Sequence, residues 1–428
     1  MKNILKIFIN NNILFTLITF IVFICVNILF CLFLLNKYPQ LVVNSKISID
    51  QLTHTYSYIV NSIISGKGYV TKLDIDVNID FFAGRLPFIP YFISFTYLFI
   101  SDNFFIIYII KNIIFFSLIF LLLKKIFKEN IYILLILLFI FYNPYNLGIS
   151  LLIVPEEGYI NYLIISLFLI FYSNIKHREI YLSLLLSVIY ITKGSICFFV
   201  YTFAIYLFFS EKKKLPMLSI MICFVFWSLF VYQKTNKLIT PFSLVSIGGV
   251  TLASSNNEKF LSIYPLESPD VLYDEILDQN LKNTKNISNE FEFDNYYKDY
   301  TLNFIKNNLD IFLKGFIKKL NVIFFNIKRD AQLKGSDNYN KIHVESILNK
   351  VLFLLSFFII IKNIFRGKFS KIDNFCIIFF ISYLFPFMVG FIYSRHLVPL
   401  YTLSNIYLFI YFYDKNYFLK LESYLNIK

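Results

Sequence analysis

The stretch SGKGYVTKLDIDVNIDFFAGRLPFIP (residues 65–90) lies between two hydrophobic segments, each long enough to cross a membrane. Such a polar, irregular run directly after a first membrane span needs a physical reason. Gly66 and Gly68 permit a sharp turn. Pro87 and Pro90 are expected to break the helix before the next span. Together they would fold the loop back over the membrane surface and aim Arg85 inward. Irregular backbone near membrane depth is tolerated where it lines a cavity. The competing reading is an ordinary solvated loop kept wet by its aspartates, and Asp74, Asp76 and Asp80 suit that role.

The residues around this stretch set the class. The chain is 57% hydrophobic and only 16% charged, and its mean hydropathy is +0.65. A soluble protein of 428 residues needs far more polar surface, so an integral membrane protein is expected. The formal charge of +13 sits in short lysine clusters between apolar runs, not along one helix face. That is a topology signal, and no nucleic acid is expected as a partner. Cys25, Cys31, Cys197, Cys223 and Cys376 lie inside apolar runs without CxxC spacing, which points to neither a zinc site nor a disulfide framework. From Ile7 to Asn36 there is no charge, too long a run for a signal peptide. This segment reads as a true membrane helix entered from the cytoplasm after Lys2 and Lys6.

Ten candidate spans can be marked near 11–36, 103–123, 131–147, 157–173, 180–194, 195–210, 216–233, 342–361, 373–393 and 397–413. The expected fold class is therefore an all-α polytopic membrane protein. Turns holding Lys124 and Lys125, Lys176 and Arg178, Lys212 to Lys214, and Lys362 to Lys371 belong in the cytoplasm by the positive-inside rule, with both termini. Three parts follow: residues 1–233 with the outer loop 37–102, an extracytoplasmic segment 234–341, and C-terminal spans in 342–428. Within the second part, Leu302, Ile305, Leu309, Phe312, Phe316, Leu320 and Ile323 recur at helical spacing. Lys298, Lys306, Lys314, Lys318 and Lys319 supply a polar face. The pattern fits an amphipathic helix in the headgroup plane, or one packed on the protein's own outer segment. No internal repeat is evident, which weakens an inverted-repeat transporter.

Charged groups near a membrane are costly and informative. Glu156 and Glu157 open the fourth span, Lys193 interrupts an apolar region, Arg395 and His396 occupy the last outer turn, and Asp50 and Arg85 lie in the first outer loop. All fall on one side, so a shared polar cavity is expected, against the plainer reading of charges marking the water interface. Carboxylates suit general-base work, and arginine and lysine suit a phosphate. There is no GxxxxGK[ST], no GxGxxG after a strand and no HExxH. A phosphate-bearing substrate would then come from the membrane itself, and a polyprenyl-phosphate sugar fits.

The run TYSYIVNSIISGKGYV…AGRLPFIPYFISFTYLF resembles a pattern found after the first span in bacterial relatives of the dolichyl-phosphate-mannose–protein mannosyltransferases. These belong to the GT-C glycosyltransferases, a superfamily that includes the lipid A aminoarabinose transferases. FYNPYNLGISLLIVPEEGYINYLIIS, YITKGS, SIGGVTLASSNN, DYTLNFIKNNLDIFLKGFIKKLNVIFF and SRHLVPLY resemble further motifs of that family, in order. Lys193 stands where the family has an arginine. The resemblance implies a GT-C-like fold and transfer of a monosaccharide from a polyprenyl-phosphate donor. It also implies donor-phosphate contacts at Arg85, Lys193, Arg395 and His396, and substrate contacts at Tyr56, Tyr69 and Asn256.

One departure concerns the base. The family's aspartate falls at Leu52, with Asp50 two residues early. Either the helix start shifts so that Asp50 reaches the cavity, or the base is Glu156 or Glu157. No obligatory cofactor is expected, because Arg85, Lys193 and Arg395 can stand in for a metal, although a divalent metal is compatible. The acceptor is a glycan, a lipid or a protein. The expected location is the cytoplasmic membrane, with the site on its outer side. The alternatives are an O-antigen polymerase or ligase, which uses a diphosphate-linked donor, and a transporter or flippase, which calls for charges deep within helices and broken-helix repeats, neither of which is expected here.

Overall fold

The computed structural model describes residues 12–37, 54–70, 79–101, 104–141, 155–265, 271–284, 287, 289–325, 344–390, 392 and 394–415. Among these residues the chain is all-helical, with no β-strand. Five helices are long and apolar enough to cross a membrane: Asn12–Lys37, Phe104–Ile126, Leu215–Thr235, Val344–Phe365 and Lys371–Val389. The other expected spans are helical but shorter, at Asn130–Phe141, Pro155–Tyr172, Arg178–Tyr190, Cys197–Ser210 and Val398–Asp414. Pro155–Tyr172 and Val398–Asp414 pack on each other and are buried over most of their length. Helices apolar on every side belong at the centre of a bundle. Around them, Phe226, Phe358, Phe365 and Ile381 stay largely exposed. An apolar outer surface of this kind suits lipid, not water.

The bundle has two chemically different ends. At one, Arg178 lies 3.1 Å and Lys371 2.8 Å from the Glu211 carboxylate, while Lys213 faces Glu179 at 3.8 Å. Lys124 donates to Asn12 and Asn130 at 3.0 and 2.6 Å. These turns carry the lysine clusters seen in the sequence. The opposite end, about 27 Å away along the 18 residues of Pro155–Tyr172, carries Glu156. If the basic end faces the cytoplasm, a cysteine at Lys213 will resist an impermeant thiol reagent added to intact cells, and one at Lys237 will react. Strong labelling from outside at position 213 would reverse this orientation.

Beyond the bundle, Gly248–Ser255, Phe260–Ile263, Val271–Thr284, Glu290–Asn307 and Leu309–Phe324 form an outer module. Its small core contains Val250, Leu272, Ile276, Phe293 and Tyr297, and Ile79 and Phe81 of the loop that bears Arg85 insert into it. The paired glycines have a structural reason here. A Cβ on Gly249 would fall 2.1 Å from the Asp294 backbone oxygen. The Gly249 N–H donates to the Asp294 carboxylate at 2.5 Å, which sets an anion at a helix N-terminus.

Glu290 joins the module to the loop that bears Arg85. Its carboxylate accepts from the Phe82 N–H at 3.1 Å, from the Ala83 N–H at 3.1 Å and from the Ser246 hydroxyl. Burial pushes this carboxyl up to about 6, against the opposing pull of those three donors. A carboxyl whose folded pKa is raised binds its proton more tightly in the folded state. The associated stability is fully present below the ordinary carboxylate value and lost as pH rises through about 6. Thermal melts in detergent are therefore expected to run higher at pH 5 than at pH 7, by on the order of 1–2 kcal/mol of stability. The difference should shrink in Glu290→Gln, and an unchanged difference there would remove this carboxyl as its source.

Two expectations are corrected. Pro87 and Pro90 do not break a helix. Pro87 caps the helix Phe88–Phe99 and Pro90 lies in its first turn, where a missing N–H costs no intrahelical bond. The amphipathic segment is not one helix but two, broken at Asn308 (φ −133°, ψ 51°). Nor do all its lysines form a solvated face. Lys318 donates to the Leu261 and Tyr264 carbonyls, and Lys319 to those of Met388 and Val389. Lys319 thus satisfies the last carbonyls of Lys371–Val389. Leu302 of the first helix and Leu309, Leu313, Ile317 and Leu320 of the second, the last four at helical spacing, stay exposed.

Candidate functional site

The site is built on the first turn of Pro155–Tyr172, which presents Glu156 and Glu157 side by side. A helix N-terminus favours anions, but two adjacent buried carboxylates need more than that. Lys193 supplies it. It sits in extended backbone (φ −151°, ψ 132°) just before the short 3₁₀ turn Gly194–Ile196. Its ammonium lies 2.7 Å from Glu156 Oε2 and 2.6 Å from Glu157 Oε1.

His396 enters from the 3₁₀ turn Ser394–Leu397, with Nε2 3.3 Å from Glu157 Oε1. Its ring stacks on Phe387 with centroids 4.4 Å apart, and its carbonyl accepts from the Tyr383 hydroxyl at 2.8 Å. On the other flank, Arg85 Nη1 lies 3.7 Å from Glu156 Oε1. The Tyr56 hydroxyl donates to that same oxygen at 2.5 Å, and the Arg85 guanidinium lies over the Tyr56 ring, 5.4 Å from its centroid.

The sharp turn that returns the chain to Arg85 is real. Gly66 and Gly68 have φ of +76° and +86°, a region that side chains disfavour. Tyr69 follows and donates to the Arg85 carbonyl at 2.8 Å. The Phe88 N–H donates to the Ile191 carbonyl at 3.1 Å, which ties the Arg85 loop to the linker bearing Lys193.

Exposure sorts these groups. The Arg85 side chain is 31% exposed, against 16% for Lys193, 6% for His396, 5% for Glu156 and 1% for Glu157. Among the described side chains of the cluster Arg85 is the most open to solvent, and the others lie behind it. Burial works against the Arg85 charge, but Glu156 and Tyr56 more than offset it and hold the guanidinium above its ordinary pKa. Burial and the neighbouring Glu156 keep the Tyr56 phenol well above its ordinary value, so it remains a donor. Chemically, this is a partly exposed guanidinium, a group suited to an anion, beside a carboxylate that other groups hold in place.

Tyr56, Arg85, Glu156, Glu157, Lys193 and His396, all singled out in the sequence, come together here. Tyr69 lies against the site, holding the Arg85 loop, with its ring near Trp227 and Phe230. The Asn256 amide donates instead to the Leu252 and Val389 carbonyls, at 2.8 and 2.9 Å, and joins the outer module to the bundle. Asp50, Asp74 and Asp76 lie outside the described residues, as does the Arg395 side chain, although its backbone belongs to the His396 turn.

Some neighbours were not foreseen. Phe387 and Tyr383 look like ordinary residues of an apolar run, and nothing in the sequence marks them. Lys111 had a signal, a lone lysine inside an apolar span, and it corrects the expectation that no charge lies deep in a helix. It is buried, with its ammonium over the Tyr108 and Tyr159 rings at 4.9 and 5.2 Å.

Among the described residues no group of three or more His, Cys, Asp or Glu is arranged to hold a metal ion. The place between the two glutamates is filled by the Lys193 ammonium. Comparison of the chain with protein-family models, with curated proteins and with solved structures gives no match.

Proposed function

We propose that this chain is a GT-C type glycosyltransferase of the cytoplasmic membrane. It moves a monosaccharide from a polyprenyl-phosphate donor to an acceptor on the outer face. The observation that carries this reading is the partly exposed Arg85 beside the buried Glu156–Lys193–Glu157 cluster, at one end of an apolar helix bundle. A donor with its tail in lipid brings its phosphate to that level. Arg85 binds the phosphate, with Arg395 as a second cation implied by the family resemblance.

Transfer is a single inverting displacement. The acceptor hydroxyl oxygen attacks the anomeric carbon as the bond to the phosphate oxygen breaks, and a carboxylate takes the hydroxyl proton. The electron pair leaves on the polyprenyl monophosphate, whose charge Arg85 stabilises. Glu156 is assigned as the base because it stands beside Arg85. Glu157, enclosed by Lys193 and His396, holds those two in place. The acceptor class, glycan, lipid or protein, is read by mass spectrometry of cell-envelope glycans with and without the gene. Identical profiles would remove the proposal.

The base assignment has its own test. Glu156→Gln is expected to lower the transfer rate about 10²–10⁴-fold. A loss of that size in Asp50→Asn, with Glu156→Gln near wild type, would move the base to Asp50.

A further inference from the structure

Arg85 enters the site from residues 79–86 of its loop, and the outer module grips that stretch. Ile79 and Phe81 are buried in the module's core, with Phe81 edge-on to Phe293 at 5.9 Å. Two residues on, the Ala83 carbonyl accepts from the Ser246 N–H at 2.9 Å. The consecutive Phe82 and Ala83 N–H groups both point at one carboxylate, Glu290, which also takes the Ser246 hydroxyl. Glu290 is 1% exposed. A buried carboxylate that accepts from two backbone amides fixes the peptide planes it binds, since charge-assisted bonds are the strong ones.

We propose that Glu290 is a positioning residue for Arg85. By holding the Phe82 and Ala83 amides, it sets the backbone two residues before Arg85 so that the guanidinium faces Glu156 and an incoming phosphate. The outer module thus acts as the second half of the site and not as a separate appendage. This rests on the reading that Arg85 binds the donor phosphate.

The surrounding charges fit this role. Asp294, one turn after Glu290, is committed to the Gly249 N–H and to Lys298. Lys234 stands over the Phe82 ring, 6.0 Å from its centroid. On the far side of Arg85, the Tyr69 hydroxyl holds the Arg85 carbonyl. The loop is therefore pinned both before and at the arginine, and only the pin before it comes from the outer module.

The chain's single tryptophan lies at this junction. Trp227 Nε1 donates to the Leu244 carbonyl at 3.0 Å, two residues before Ser246, and its ring is edge-on to Tyr69 at 5.8 Å. Its fluorescence therefore reports on the loop, with farnesyl phosphate in detergent micelles as the probe ligand. Hydrogen exchange of the full-length protein, read on the 79–86 peptide, reports on the Phe82 and Ala83 amides directly.

In Glu290→Gln those amides are expected to exchange at least about tenfold faster, with peptides from Pro155–Tyr172 unchanged. Farnesyl phosphate should bind about tenfold or more weakly, as in Arg85→Ala, and the double variant should bind no more weakly than Arg85→Ala alone. Ser246→Ala removes only one donor and should shift both readouts in the same direction by less. It carries the test if Glu290→Gln fails to fold. Unchanged exchange in these variants overturns the inference. So does a freed loop that binds the probe as tightly as wild type while Arg85→Ala does not. If neither Arg85→Ala nor Glu290→Gln alters binding although the loop is freed, the phosphate reading of Arg85 fails and the clamp itself stands.

Discussion

Arg85→Ala is expected to abolish transfer, by about 10²–10³-fold or more, while the protein still folds and inserts. Both halves of this expectation come from the geometry. Arg85 is the most exposed cation among the described residues of the cluster, so it is placed to meet a phosphate. Its removal leaves Glu156 with Lys193 at 2.7 Å and the Tyr56 hydroxyl, so the buried carboxylate keeps partners and the core is not broken. Arg85→Lys should recover only part of the rate. Lysine brings the charge but lacks the planar fork that grips two phosphate oxygens, and it does not lie flat over the Tyr56 ring. The check is transfer from a labelled polyprenyl-phosphate sugar by detergent-purified variants, with gel filtration and melting curves as the measure of folding. Wild-type turnover in Arg85→Ala would take this residue out of the site.

The sequence disclosed the site more fully than the details of the fold, for a physical reason. A charge at the mouth of an apolar helix is costly, so each one stands out against its surroundings. Glu156, Glu157, Lys193, His396 and Arg85 could all be found by that contrast. Tyr56 came from a resemblance, because a tyrosine among thirty-one others has no contrast of its own. Phe387 and Tyr383 have none either, and only packing brings them to His396. Helix breaks were harder to read. A proline in an apolar run reads as a stop, but Pro90 sits where its missing N–H costs nothing, so position within the turn outweighs residue type. The lysines of the amphipathic segment misled for a related reason. Periodicity assigns a face, but Lys318 and Lys319 reach carbonyls at the ends of neighbouring elements, and such tertiary partners lie far off in sequence. Glu290 was hidden in the same way, more than two hundred residues from the amides it holds.

The largest effect on stability is expected at Lys193. Lys193→Met keeps a side chain of similar length and removes an ammonium that lies within 3 Å of both glutamates. Glu156 would retain Tyr56 and the more distant Arg85, while Glu157, 1% exposed, would lose the ammonium 2.6 Å from its Oε1 and keep His396 at 3.3 Å. Breaking a buried pair by removing one partner costs about 3–5 kcal/mol, because the other charge stays desolvated without compensation. A loss of this size is a large share of the stability of most proteins. If the uncompensated charge is the cause, neutralising it should repair the damage, so the double variant Lys193→Met, Glu157→Gln is expected to melt well above Lys193→Met alone. Lys193→Arg is a sharper probe, since the resembled family carries arginine at this position. A guanidinium can face both carboxylates at once, and the variant should stay near wild type in stability if the linker accommodates its bulk. Melting curves of the three variants in one detergent make the comparison. If Lys193→Met melts with the wild type, or if the double variant gains nothing over it, the lysine does not hold the two carboxylates together, and the arrangement around Arg85 must rest on packing instead.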